Sequence, residues 1–139
     1  MNMTAQMMQS MSKEMAGMPS DMDMMVMQEC IEACSACEQA CTMCADAGVA
    51  GGMVKCMSMC MNCADLCNTT MRMMMRPTGF DMTSMMATLE ACMTMCIACA
   101  DECMDHAEMS ETCRMCAQAC QACAKACDAM MSMMRAAAK

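Results

Sequence analysis

Cysteine recurs in this chain at the spacing of an α-helix, and it does so in four separate blocks. Cys30, Cys34, Cys37, Cys41 and Cys44 form the first, and Cys56, Cys60, Cys63 and Cys67 the second. Cys92, Cys96, Cys99 and Cys103 form the third, and Cys113, Cys116, Cys120, Cys123 and Cys127 complete the set of 18. Residues three and four apart share one face of a helix, so each block becomes an unbroken thiol stripe once it is helical. A helical bundle normally fills such stripes with Leu or Ile. Here the positions that should hold the core hold metal ligands instead.

Two ordinary uses of cysteine fit this pattern poorly. Helical neighbours at i and i+4 keep their Cβ atoms about 5–6 Å apart, whereas a disulfide needs about 3.5–4.5 Å. The residues between the cysteines are mainly Ala, Met, Glu and Gln. These are helix formers rather than the turn residues of a disulfide-stapled miniprotein. Cysteine as a small core hydrophobe explains one or two buried thiols. It does not explain 18 that take nearly every central core position, because such a layer packs less apolar volume than Leu would.

Five helical segments can be read around the blocks. The first spans about residues 3–16, with Met3, Met7, Met11 and Met15 at i+4 spacing and Met8 and Met18 beside them. Gly17-Met18-Pro19 ends it. Ser20 or Asp21 is expected to cap a second helix that runs to about Asp46, with Asp23 favourably placed near its start. Gly48-Val49-Ala50-Gly51-Gly52 reads as a short turn. A third helix is expected from about Met53 to Met75, broken by Arg76-Pro77-Thr78-Gly79. Asp81 caps a fourth, to about Ala107, and a turn around Glu108–Ser110 leads to a fifth, from about Glu111 to Ala137. The expected fold is all-α: an antiparallel four-helix bundle over residues 20–139, with a short, Met-rich helical extension at 1–19.

In that topology Cys44, Cys56, Cys103 and Cys113 lie together at one end, with His106 and Met109 just beyond. Met27, Met71, Met74, Met85, Leu89, Met130 and Met134 continue the stripes at the other. The bundle is thus expected to be polarised, with thiols open at one mouth and a thioether and aliphatic layer closing the far end.

Composition removes other functions. The formal charge is −8, with 16 acidic against 8 basic residues, so no nucleic-acid footprint is present. Phe80 is the sole aromatic residue, which removes base stacking. No continuous 18-residue apolar run is seen, so no transmembrane helix is expected. The start Met1-Asn2-Met3-Thr4-Ala5-Gln6 lacks a leader pattern, and a cytoplasmic location, where thiols stay reduced, is expected. With one His and no convergent nucleophile–base set, the chain is read as non-enzymatic.

Soft thiolate and thioether donors select Cu(I), with Zn(II) and iron–sulfur clusters as competitors. Charge separates these. One Cu(I) per thiolate leaves a neutral interior, whereas each Zn(Cys)4 site keeps two negative charges, and no Lys or Arg falls on the stripes to offset them. A cluster needs four converging cysteines rather than 18 spread along a tube. The reading is a store for many Cu(I) ions on the 18 cysteines, with His106 and Met109 as candidate ligands where copper enters. A zinc or cadmium thiolate sink and an iron–sulfur redox protein are the alternatives. Of the 32 Met, most are expected to be core filler or interface. Those at the bundle ends and in the N-terminal segment are the best candidates for copper contact.

The runs CIEACSACEQAC at 30–41, NCADLC at 62–67, CIACADECMDHA at 96–107 and CRMCAQACQAC at 113–123 make the resemblance specific. Over about residues 21–134 the chain resembles the cytosolic, bacterial-type copper storage proteins. That resemblance implies a four-helix bundle filled with Cu(I), often tetrameric, serving storage and detoxification. It implies that all 18 cysteines are ligands and that His106 stands where the family places a mouth histidine. Relatives carry further His there, and mostly Leu, Val and Ala where this chain has Met. A copper chaperone or a low-molecular-weight thiol is the expected donor.

Overall fold

Each thiol stripe becomes the inner face of one long helix. The computed structural model describes residues 2–12 and 23–138. Helix α1 spans Met3–Ser12, α2 Met24–Gly51, α3 Val54–Met74, α4 Met82–Met104 and α5 Glu111–Ala137. One 3-10 turn, Pro77–Gly79, joins α3 to α4. Helix α2 packs on α3 and α5, and α4 packs on the same two, so α2–α5 form a square antiparallel bundle while α1 lies against α2. The expected ends of the first helix (13–16), its Gly-Met-Pro stop and the Ser20 or Asp21 cap lie outside the described residues. So does the boundary expected between 19 and 20.

Three element ends differ from the sequence reading. Helix α2 is capped by Asp23, whose carboxylate accepts from the Met25 N–H at 2.9 Å. It also runs through the expected turn to Gly51 rather than stopping near Asp46. The reason lies at Gly48: a Cβ there would come within 2.7 Å of Met57 Cγ. Gly48 is a helical residue chosen for close approach to α3, not a breaker. The stop is Gly52, at φ 68. The Gly52 N–H bonds to Val49 O at 3.3 Å and the Met53 N–H to Gly48 O at 3.1 Å, the bonding of a left-handed glycine cap.

Helix α4 ends at Met104 rather than near Ala107. Beyond it the chain tightens into turns, with His106 N–H to Cys103 O at 3.1 Å and Ala107 N–H to Met104 O at 3.2 Å. The His106 carbonyl then accepts from both Met109 and Ser110 N–H. Ser110 caps α5 by accepting from Cys113 N–H at 3.1 Å. The Asp81 cap on α4 and the bounds of α5 agree with expectation.

All 18 cysteines are buried, none more than 2% exposed. Beyond them the stripes continue as Met27, Met74, Met85, Leu89, Met130 and Met134, all buried. Met71 is only partly buried, and Met131 and Met8 join the layer instead. By length and composition alone α4 is apolar enough to cross a bilayer, with mean hydropathy 1.4, although Glu90, Asp101 and Glu102 interrupt its apolar run. Of the residues that raise its hydropathy, Met85, Leu89, Cys92, Cys96, Cys99 and Cys103 are buried in the bundle, whereas Ile97 is exposed.

Candidate metal centre

The bundle axis is a column of sulfur. Cα–Cβ bonds from four helices converge because every third or fourth residue of each helix points inward, and thiols are short enough to meet there without clashing. Thiol–thiol hydrogen bonds of 3.6–4.0 Å link all four helices. Cys37 reaches Cys63 at 3.8 Å and Cys120 at 3.7 Å. Cys63 reaches Cys96 at 3.7 Å. These separations are far from the roughly 2.03 Å of a disulfide, and all 18 thiols are free. With metal–sulfur bonds of about 2.3 Å, three sulfurs around one ion stand about 4.0 Å apart. The thiols are therefore already spaced close to the sulfur separations of a metal-filled core.

The thiols gather into groups of four with all sulfurs within 4.8 Å of one another. Moving along the axis, they include Cys34/Cys92/Cys123/Cys127, Cys37/Cys67/Cys96/Cys123, Cys37/Cys41/Cys63/Cys120, Cys41/Cys99/Cys116/Cys120 and Cys44/Cys60/Cys103/Cys116. Each shares at least one sulfur with the next. The groups are a ladder rather than separate sites, and one stretch is narrow. Between the half that holds Cys44, Cys60, Cys99 and Cys116 and the half that holds Cys37, Cys63, Cys96 and Cys123, every thiol–thiol hydrogen bond runs through Cys41 or Cys120.

One end of the ladder is the predicted mouth. Cys44 lies 3.7 Å from Cys113 and Cys56 lies 3.8 Å from Cys103, so the four end positions meet in pairs as the antiparallel topology requires. His106 sits beside them, partly exposed, with Nε2 3.0 Å from the Glu102 carboxylate. Lys55 of α3 reaches the other oxygen of the same carboxylate at 3.5 Å. Sequence reasoning missed Glu102 and Lys55, although the i,i+4 spacing of Glu102 and His106 was the available signal. Met109 projects into solvent, 83% exposed.

The thiols also set one another's acidity. A thiol that donates to a neighbour favours the neighbour's thiolate and disfavours its own. Cys103, donating, pulls Cys60 and Cys99 down, and Cys127 with Cys34 pulls Cys30 down, while the donors Cys103, Cys127 and Cys34 are themselves pushed up. Cys41 is pushed up by Cys116 and Cys120. At the mouth burial acts first, raising Cys44 and pushing Cys56 up to about 12. Among the described residues Thr70 is the one buried polar side chain, and its hydroxyl is satisfied by Leu66 O at 2.7 Å. No Lys or Arg among the described residues is buried in the core, so thiolates cannot accumulate there unless a metal replaces the protons.

Fold and site together define a cysteine-lined bundle for soft metal ions. The copper storage protein family matches residues 23–132, and the chain belongs to that family. The structure is similar to the copper storage protein Ccsp from Streptomyces lividans loaded with 10 copper equivalents. That match has TM-score 0.82 and 40% identity, and covers 90% of this chain and 98% of that one. A cytosolic copper storage protein from Streptomyces lividans, seen with five coppers, matches at TM-score 0.74 and 45% identity, over 77% and 92% of the two chains. A histidine-to-alanine variant of Ccsp matches at TM-score 0.79 and 43% identity, over 83% and 99%. No curated protein sequence matches the chain.

Proposed function

We propose that this protein stores and detoxifies Cu(I) in the cytosol, holding many ions on the thiolates of its core. All 18 cysteines, from Cys30 to Cys127, are the ligands. The observation that carries the reading is the ladder of shared four-thiol groups, in a core where none of the described residues is a buried cation. Each arriving Cu(I) replaces one thiol proton and leaves the interior neutral, so capacity approaches one ion per thiolate, on the order of a dozen or more. Zinc on the same sulfurs would leave negative charge buried and unpaired.

Copper enters at the end formed by Cys44, Cys56, Cys103 and Cys113, where Glu102 holds His106 in place. His106 is the first ligand met, and Met109 is a flexible thioether beside it. The far end is sealed by the Met27, Met74, Met85, Leu89, Met130 and Met134 layer. The role is storage rather than turnover, the chain works as a homo-oligomer, and a copper chaperone or a low-molecular-weight thiol delivers the ion.

Anaerobic titration of the reduced protein with Cu(I) against a competing chelator, repeated with Zn(II), tests this. Many Cu(I) ions bound, with helicity present before loading, is the expected result. Saturation near four ions with zinc preferred would reject it in favour of a zinc sink.

A further inference from the structure

One cavity outside the thiol core is lined almost wholly by thioethers. It measures about 160 Å³ and lies between α1, the start of α2 and the end of α3. Met3, Met7, Met8 and Met11 line it from α1 together with Thr4, Met75 from the residue that caps α3, and Ile31 from α2. Met3, Met7 and Met11 follow at i+4 steps, so they share one face of α1. The face is held in place: Met8 is buried, 4% exposed, and Asn2 both accepts from the Ala5 N–H at 2.8 Å and donates to Glu32 at 2.7 Å.

We propose that these methionines form a second copper site, a thioether pocket that takes one Cu(I) once the thiol core is full. Several features point the same way. Thioethers are soft donors that select Cu(I), and five of them converge on one cavity, four from α1 and one from the cap of α3. Methionine has three rotatable bonds, so three sulfurs can close on an ion in a cavity of this size without moving either helix. Thioethers are neutral, so the bound ion keeps its positive charge. That is tolerable here because the pocket opens to solvent at Met3 and Met75, 69% and 48% exposed. Glu32, next to Ile31 in the chain and bonded to Asn2, supplies a negative charge at the start of α1.

The neutral donors also give the site its own signature. Thiolate binding displaces a proton and thioether binding does not. The pocket therefore fills after the thiols, releases first and does so independently of pH. It rests on the copper reading above only for the identity of the ion.

The test uses the full chain with methyl-labelled methionine. The core is first saturated with Cu(I) under chelator competition, and further Cu(I) is then added without the chelator. The expected result is a saturable shift of the Met3, Met7, Met11 and Met75 methyl signals over one equivalent, with no proton release in a weakly buffered solution. The triple variant Met3→Leu, Met7→Leu, Met11→Leu keeps apolar volume, and it should retain the core capacity and lose the extra equivalent. Met75→Leu, outside α1, should weaken that equivalent about tenfold even if the triple variant loses α1 helicity. Shifts spread evenly over exposed methionines such as Met104 and Met109 would overturn the proposal. So would an unchanged extra equivalent in both variants. A core that saturates with few ions would instead reject the storage reading, and the methyl shifts would still decide this one.

Discussion

The narrow stretch at Cys41 and Cys120 yields a kinetic test of how copper moves through the core. In the double variant Cys41→Ser, Cys120→Ser, both new hydroxyls can bond to the carbonyl four residues back, as Thr70 does to Leu66 at 2.7 Å. The fold should survive, at a cost of about 1–3 kcal/mol per site for the poorer burial. The ladder does not survive. A bridging ion spans about 4.6 Å between two sulfurs, twice a bond of about 2.3 Å. The hydrogen-bonded route from Cys37 to Cys116 runs through Cys41 in steps of 3.9 and 3.7 Å, and the double variant removes the thiol that joins them.

Charge counting says that only about two ions of capacity are lost, because each missing thiolate removes one countercharge. Connectivity says that the far half should fill slowly, since an ion must leave its thiolates to cross. If that crossing adds about 1.4 kcal/mol or more to the barrier, the far half fills at least about tenfold slower. Stopped-flow following of the thiolate-to-copper absorbance should therefore show two phases, with the mouth-side thiols filling fast. The control variant Cys30→Ser, Cys127→Ser sits at the sealed end and should lose similar capacity with a single fast phase. Equal kinetics in the two variants would refute passage along the ladder from the His106 end.

Other expectations follow from single contacts. Glu102→Gln removes the carboxylate shared by His106 and Lys55, and it should change the loading rate while leaving the number of copper ions, measured at equilibrium, unaltered. Gly52→Ala places a Cβ at φ 68 in open space, so it should lower stability by about 1 kcal/mol in urea denaturation. Gly48→Ala should be rescued by Met57→Ala, because the clash is with Met57 Cγ; failure of that rescue would assign the cost to the backbone. Cys56 should cost the metal-free protein stability as pH rises past its ordinary value of 9.0. Cys56 goes from its ordinary value of 9.0 to about 12 in the fold, so its proton stabilises the native state below pH 9 and that benefit declines up to about pH 12. The slope is about 1.4 kcal/mol per pH unit for one such group, and Cys56→Ala should flatten it in denaturation curves taken at successive pH values.

Much of this molecule was legible in its spacing. The cysteine rhythm placed four helices, their inner faces and the meeting of Cys44 with Cys113 and Cys56 with Cys103, because a single periodicity fixes both face and register. What spacing could not show was what a residue does for its neighbour. Gly48 looks like a turn residue until Met57 is seen against it. The end of α4 depends on where the His106 carbonyl finds donors, which is a property of the turn and not of the helix. Glu102 and Lys55 became visible as a pair only when α3 and α4 were side by side. The narrowing at Cys41 and Cys120 is likewise a property of four helices together, and no one stripe contains it.

A core without a buried cation has an outward consequence. If every ion that enters the thiol core sends one proton out, filling that core leaves the molecule's formal charge of −8 unchanged. Its electrophoretic mobility, isoelectric point and long-range field are then blind to its cargo, and so is any partner steered by that field. Only mass, and whatever happens at the uncovered mouth, can report the load. A protein that must collect from or deliver to this one has to read that end at close range.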